Sequence, residues 1–139
     1  MTRTLAIIKP DAFATGKSGL ILAHLENAGF RVLASRVLRL TPEQAGTFYE
    51  IHRERPFYSS LVAFMTSGAC MPIALSRDDC VSTLRVVIGA TDPAQAAPGT
   101  IRKLYAESKE RNAIHASDSD ENAAREIGFF FAGADIVGG

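Results

Sequence analysis

The chain has no tryptophan and only two cysteines, Cys70 and Cys80, among 139 residues. Two thiols in no ligand-like spacing support neither a disulfide framework nor a cysteine metal centre. They read as small buried hydrophobes in a reducing compartment. Neither sign of charge prevails: 15 Lys and Arg face 15 Asp and Glu, for a formal net charge of +0. That balance withholds the basic excess that general nucleic-acid or membrane-surface binding requires, so neither partner is expected. A local basic pocket for a small anion stays open. No apolar run approaches the ~20 residues of a membrane helix. No apolar leader opens the chain either, because only four apolar residues stand between Thr4 and Lys9-Pro10. The expectation is a cytoplasmic protein.

What is present suits a globular chain. Hydrophobic residues make up 47% and charged residues 22%, enough for a real core and too apolar for disorder. The length fits a single domain spanning 1–139. Thr4 to Ile8 reads as a short strand stopped by Pro10, and Ser18 as the cap of a helix from Gly19 to Ala28 that Gly29 ends. Phe30 to Leu40 reads as a long strand, with Phe30, Val32, Ala34 and Leu38 on one side and Arg31, Ser35 and Arg39 on the other. Thr41-Pro42-Glu43-Gln44 is a helix start with cap, N1 proline and capping-box glutamine, for a helix to about His52. A helix carrying Leu61, Phe64 and Met65, a strand at Met71–Leu75, a helix from Asp78 or Asp79 to Gly89 and a helical turn at Thr100–Tyr105 follow. A helix starting within Asp118–Asn122 then leads to a buried final strand at Gly128-Phe129-Phe130-Phe131. The order suits an α+β, ferredoxin-like sandwich of four antiparallel strands with helices on one face. The loops at Arg53–Phe57 and Ala90–Gly99 exceed what that fold needs and point to function.

Gly16-Lys17-Ser18 after the first strand imitates a phosphate loop. The full pattern needs a glycine five residues before Gly16, where Asp11 stands beside rigid Pro10, so the match is rejected. Asn112-Ala113-Ile114-His115-Ala116-Ser117-Asp118-Ser119 is more informative. Histidine, with an unperturbed pKa near ~6.5, is largely neutral at cellular pH and can act as a nucleophile. A small neighbour and nearby hydroxyls leave room for a bulky group and help to hold the ring. A solvated loop histidine is the alternative reading.

Elsewhere the chain supplies Lys9, Tyr49, Phe57, Arg85, Thr91, Arg102, Asn112 and Glu126. Cations and a hydroxyl suit phosphates, Lys and Asn suit ribose, and an aromatic ring can stack on any base. Each also has a plainer role: Arg85 on a solvated helix face, Phe57 in the core, Glu126 on the surface.

Six segments together resemble the nucleoside diphosphate kinase family, in order and at its spacing. They are Ile8-Lys9-Pro10-Asp11-Ala12, Arg55-Pro56-Phe57, Ser67-Gly68, Gly89-Ala90-Thr91-Asp92-Pro93, Pro98-Gly99-Thr100-Ile101-Arg102 and the stretch around His115. The resemblance implies that His115 takes the γ-phosphate of a nucleoside triphosphate and passes it to a nucleoside diphosphate, with ping-pong kinetics through phosphohistidine. It further implies that Lys9 and Asn112 bind ribose and phosphate, and that Tyr49 stands beside the moving phosphate. Arg85, Thr91 and Arg102 would clamp the phosphates. Phe57 would stack on the base, backed by Leu61, and Glu126 would orient His115 with help from Ser117. Magnesium would arrive with the nucleotide, held mainly by phosphates and water rather than by protein ligands; Asp118 could contribute through water or serve only its helix start. His24 and His52 are assigned no role.

Departures from the family pattern fall at Ala116, where many relatives have glycine, and at Ala69, where a proline is usual. Lys103 and Leu104 replace a small residue and Asp, and Lys109 stands where an apolar residue often faces the stacking ring. Family members are tetramers or hexamers built from a shared dimer, and the short tail points to the tetramer. Two other readings compete: a non-catalytic nucleotide-binding regulatory module of the same fold, and a DNA-binding regulator, which the neutral charge disfavours.

Overall fold

The apolar run near the start of the chain becomes strand β1 (Thr2–Ile8), an interior strand of the sheet. The computed structural model describes residues 2–138. The sheet has the order β2-β3-β1-β4, with β2 at Arg31–Ser35, β3 at Met71–Arg77 and β4 at Ile114–Ala116. All its pairings are antiparallel, as expected for this sandwich.

Leu5, Ala6, Ile7 and Ile8 are fully buried. Alternation sends Ala6 and Ile8 into one core cluster and Leu5 and Ile7 into another. A strand covered on both sides must be apolar throughout, which is why β1 shows no alternating pattern. Helices therefore flank both faces, not the single face expected. Helices α2 (Ser18–Asn27), α5 (Cys80–Ile88) and α6 (Ile101–Tyr105) bring Leu25, Leu84 and Ile101 to the Ala6 side. Helices α3 (Pro42–Phe48), α4 (Tyr58–Met65) and α7 (Asp120–Phe130) bring Phe48, Met65 and Ile127 to the other.

Local chemistry sets many boundaries. At α3 both halves of the capping box form: Gln44 N donates to Thr41 Oγ1 at 3.1 Å and Thr41 N donates to Gln44 Oε1 at 2.9 Å. This helix ends at Phe48, and a 3-10 turn at Glu50–His52 takes over the last stretch expected to be helical. Pro10 does end β1, but it also starts a short helix, α1 (Pro10–Ala14), because its fixed φ suits a first helical position. Ser18 is the first residue of α2 rather than its cap, a place taken by Lys17 without a side-chain bond.

Two strands differ from expectation. β2 stops at Ser35; beyond it Arg36 N donates to the Pro72 carbonyl at 3.3 Å and Leu38 forms a bridge with Cys70. Its register shifts between Val32 and Ala34. This bulge inserts one residue and reverses the alternation, so Phe30 and Val32 pack on one side of the sheet and Ala34 and Leu38 on the other. The Gly128–Phe131 strand does not exist: it is the end of α7, whose Ala123, Ile127 and Phe130 bury one helical face. The fourth strand is β4, only three residues long, and it carries His115 on the sheet rather than in a loop.

Candidate active site

Pairing of β4 with β1 sets Ile7 opposite His115. Ile114 and Ala116 enter the first core cluster, so the side chain between them projects to the opposite face. There His115 meets the edges of Phe48 and Tyr49, with ring centroids 5.4 and 5.9 Å away. Its Nε2 lies 2.8 Å from Oε1 of Glu126, contributed by α7. Ser117 Oγ donates to the same oxygen at 2.8 Å. The side chain of His115 keeps 19% of its surface exposed, while that of Glu126 keeps 6%. The ring is thus anchored from behind and open in front.

The open side faces a cleft of about 490 Å³. Lys9, Tyr49, Phe57, Leu61, Arg85, Thr91, Arg102, Asn112 and Glu126 line it together with His115. Ser117 stands behind Glu126, outside the lining. The plainer roles fare unevenly. Arg85 is exposed as a solvated helix residue would be, yet it borders the cleft. Phe57 is 47% exposed, not core, and Glu126 is 4% exposed, not surface.

Lys9 follows the last residue of β1 and is almost fully buried. Its Nζ donates to Asn112 Oδ1 at 2.9 Å and to the Glu110 carbonyl at 3.0 Å. Burial pulls its pKa down to about 8, and the Arg102 charge adds to that pull, while Asp11 and Glu110 work against it. Asn112 also donates from Nδ2 to the Thr91 carbonyl at 3.3 Å, tying the long loop to the site.

Arg102 sits at the start of α6, whose cap is Thr100: Lys103 N donates to Thr100 Oγ1 at 3.3 Å. Its guanidinium donates to the carbonyls of Gly89 at 3.1 Å and Ile114 at 2.7 Å. Its buried Nε has no hydrogen-bond partner among the described residues. Burial, and after it the charge of nearby Arg85, lowers its pKa to about 10, so it remains cationic at neutral pH. Gly89 is required where it stands. Its φ is +91°, and a Cβ there would lie 2.5 Å from Thr100 Oγ1. A buried arginine with an unpartnered N–H, beside a second arginine that borders the same cleft, suits an anion.

Tyr49 is buried, and burial together with the Glu126 charge holds its hydroxyl pKa far above the ordinary value. At the outer end, His52 tilts against Phe57 with centroids 5.5 Å apart, and Lys109 joins the rim. His52 therefore borders the cleft although sequence reasoning assigned it nothing. Phe48, Ile51, Glu110 and Arg125 were also missed. Phe48 and Ile51 look like ordinary apolar residues in the sequence, and nothing local marks the other two.

The backbone before His115 is strained. Ala113 has φ +74°, and Ile114 N donates to the Asn112 carbonyl across it at 2.9 Å. This γ-turn with positive φ is rare for an L-residue and costs on the order of 1–3 kcal/mol.

Comparison with known proteins agrees with this geometry. The family model described as nucleoside diphosphate kinase matches residues 2–136. The nucleoside diphosphate kinase of Chlorobium chlorochromatii (strain CaD3) is 56% identical over 137 residues, covering 99% of this chain and 98% of the relative. The crystal structure of the Aquifex aeolicus nucleoside diphosphate kinase superposes with a TM-score of 0.96 at 47% identity, covering 98% of this chain and 99% of that one. The Halobacterium salinarum nucleoside diphosphate kinase in complex with CDP gives a TM-score of 0.93 at 36% identity, covering 98% and 91%. A site of anion-binding arginines around an anchored histidine, in a chain alike over its whole length to these proteins, leads to one conclusion: this chain belongs to the nucleoside diphosphate kinase family, and its activity is phosphoryl transfer between nucleotides.

Proposed function

We propose that His115 carries the phosphoryl group between donor and acceptor nucleotides. The observation that carries this reading is the 2.8 Å contact from His115 Nε2 to buried Glu126, which already accepts from Ser117. A carboxylate held there makes Nε2 the proton-bearing nitrogen and leaves the lone pair on Nδ1. Nδ1 attacks the γ-phosphorus. The N–P bond forms as the bridging P–O bond breaks, and that oxygen leaves with the nucleoside diphosphate. A second diphosphate then attacks the phosphorus through a terminal oxygen and restores the free imidazole. Such transfer asks for positioning and charge neutralisation, which Arg85, Arg102 and Thr91 supply to the phosphates and Lys9 and Asn112 to phosphate and ribose. Tyr49 packs beside the moving group. Phe57 and Leu61 take the base by area rather than by hydrogen bonding, which fits the CDP in the Halobacterium relative as well as other nucleotides.

Magnesium fits this site as a companion of the nucleotide. Asp118 borders the cleft, and its bond from the Asn122 amide keeps its carboxyl below the usual range, ready to act through water. The ion would neutralise phosphate charge. We infer further that residues 1–139 work as one catalytic domain in the cytoplasm, as a homo-oligomer of four or six copies. The exposed Leu20 and Val37 and the open edge of β2 support assembly. The direct test is incubation with γ-labelled ATP. The protein should take an acid-labile, base-stable label that GDP or CDP discharges, and His115→Ala should take none while staying folded. Label on His115→Ala, or transfer only when both nucleotides are bound, overturns the reading.

A further inference from the structure

The strained turn before His115 is held by a carboxylate that the reaction itself does not use. Asp11 is 4% exposed and sits in the first turn of α1, two residues beyond Lys9. Its Oδ2 accepts from Ala113 N at 3.0 Å, across 102 residues of sequence. Its Oδ1 is buried with no hydrogen-bond partner among the described residues. A half-satisfied carboxylate in a core is a standing cost that a neutral acceptor or an apolar residue would lessen.

We propose that Asp11 is a positioning residue for phosphoryl transfer: by clamping the Ala113 peptide it fixes where Asn112 and His115 stand relative to Lys9. This rests on the phosphohistidine reading above.

Both polar groups of Ala113 are tied to one short segment. Its N–H goes to Asp11, and its carbonyl accepts from Lys9 N at 2.9 Å. On one side of the turn, Asn112 Oδ1 accepts from Lys9 Nζ at 2.9 Å. On the other side, His115 follows two residues later. Relaxation of Ala113 from φ +74° to an ordinary negative φ rotates the peptides on both sides, so the nucleophile and the Lys9–Asn112 pair move apart. The clamp holds the residue in the conformation it resists.

The carboxylate also faces Lys9. Burial lowers the Lys9 pKa, Asp11 is the largest opposing influence, Arg102 adds to the lowering and Glu110 resists it. Arg111 shares the Phe64 ring with Lys9, at 5.5 and 5.2 Å from its centroid. Loss of the Asp11 charge alone therefore brings Lys9 deprotonation to lower pH.

The test uses the full chain. Asp11→Ala removes clamp and charge. Asp11→Asn removes the charge but keeps an oxygen acceptor for Ala113. Asp11→Ala with Ala113→Gly removes the clamp but places at 113 a residue that accepts positive φ freely. Ala113→Gly alone is the reference. Each is read by single-turnover labelling from γ-labelled ATP, by kcat and KM across neutral to alkaline pH, and by thermal melting. Asp11→Ala should lose roughly 10²-fold in labelling rate, with kcat falling more than KM changes. The glycine double variant should recover most of that loss. Asp11→Asn should keep a near wild-type rate at neutral pH with its alkaline limb moved to lower pH. A cooperatively melting Asp11→Ala that labels at the wild-type rate overturns the proposal. So does a double variant no faster than Asp11→Ala combined with an unmoved limb in Asp11→Asn. If Asp11→Ala does not fold, the limb in Asp11→Asn and the double variant measured against Ala113→Gly decide. Wild-type protein that turns over without label at His115 refutes the phosphohistidine reading instead, and kcat of the same variants then judges Asp11.

Discussion

At the inner end of the cleft Lys9, Arg102, Asn112 and Glu126 are each less than a tenth exposed, and every one is bonded to backbone or to another side chain. At the mouth Phe57, Arg85, Thr91 and Lys109 are exposed, and Leu61 is half-buried. Lys9 directly follows β1, Asn112 stands two residues before β4, and Arg102 and Glu126 lie on α6 and α7, whereas Phe57, Thr91 and Lys109 come from connecting loops. The contrast follows the chemistry. Moving a phosphoryl group between heteroatoms demands positions held within a fraction of an ångström. Holding a base demands only apolar area of the right shape, and an exposed ring supplies it to any base. Rigid where bonds change and permissive where bases differ is a physical account of one site serving many nucleotides.

The sharpest way to break this contrast is at the inner end. Glu126→Gln leaves an oxygen to accept from Nε2 but removes the charge that steadies the ring as it becomes cationic. Labelling by γ-labelled ATP should slow by about 10²-fold with nucleotide affinity nearly unchanged. A loss confined to KM would show that the inner end binds rather than positions.

Lys9 offers a titration of the same region. With its pKa lowered to about 8, the ammonium is lost as pH rises through that value, and kcat should fall along an alkaline limb that Lys9→Gln lacks. Stability has the opposite sign. The unfolded chain keeps this proton to 10.5, so between about pH 8 and 9, before the unfolded thiols titrate, this group makes folding more favourable as pH rises. Activity and melting temperature measured on the same samples should therefore diverge. A shared decline would assign the limb to unfolding.

The mouth should respond differently. Phe57→Ala should raise KM by about tenfold for purine and pyrimidine nucleotides alike, with a smaller effect on single-turnover labelling at saturation. A loss restricted to one base would mean that the slot reads bases. The smallest effect belongs outside the cleft. Thr41→Ala breaks the capping box of α3, costing about 1 kcal/mol and a few degrees of melting temperature, with kcat unaltered.

Some of this was legible in the residues. The capping box at Thr41, the arrest at Gly29 and the order of the first three strands could be read directly, because caps, stops and periodicity act over a few neighbours. The strand expected at Gly128–Phe131 failed because three consecutive phenylalanines look the same at the end of a helix as in a buried strand. β4 escaped notice because three residues are too few to show a period, and its partner in the sheet is more than 100 residues away. The bulge in β2 reversed the expected faces for a similar reason, since the sequence does not mark where an extra residue is inserted.

By itself the sequence determined which side chains were available: one imidazole beside an asparagine, cations without a general basic surface, and apolar runs for a two-sided sheet. Only the tertiary structure decided that Glu126 would be buried behind His115, that Asp11 would reach Ala113, and that the arginines would crowd one cleft. The physical reason is range. Propensity and capping are settled within a turn or two of chain, while a carboxylate's partner and a cation's desolvation depend on what the fold brings against it from far along the sequence.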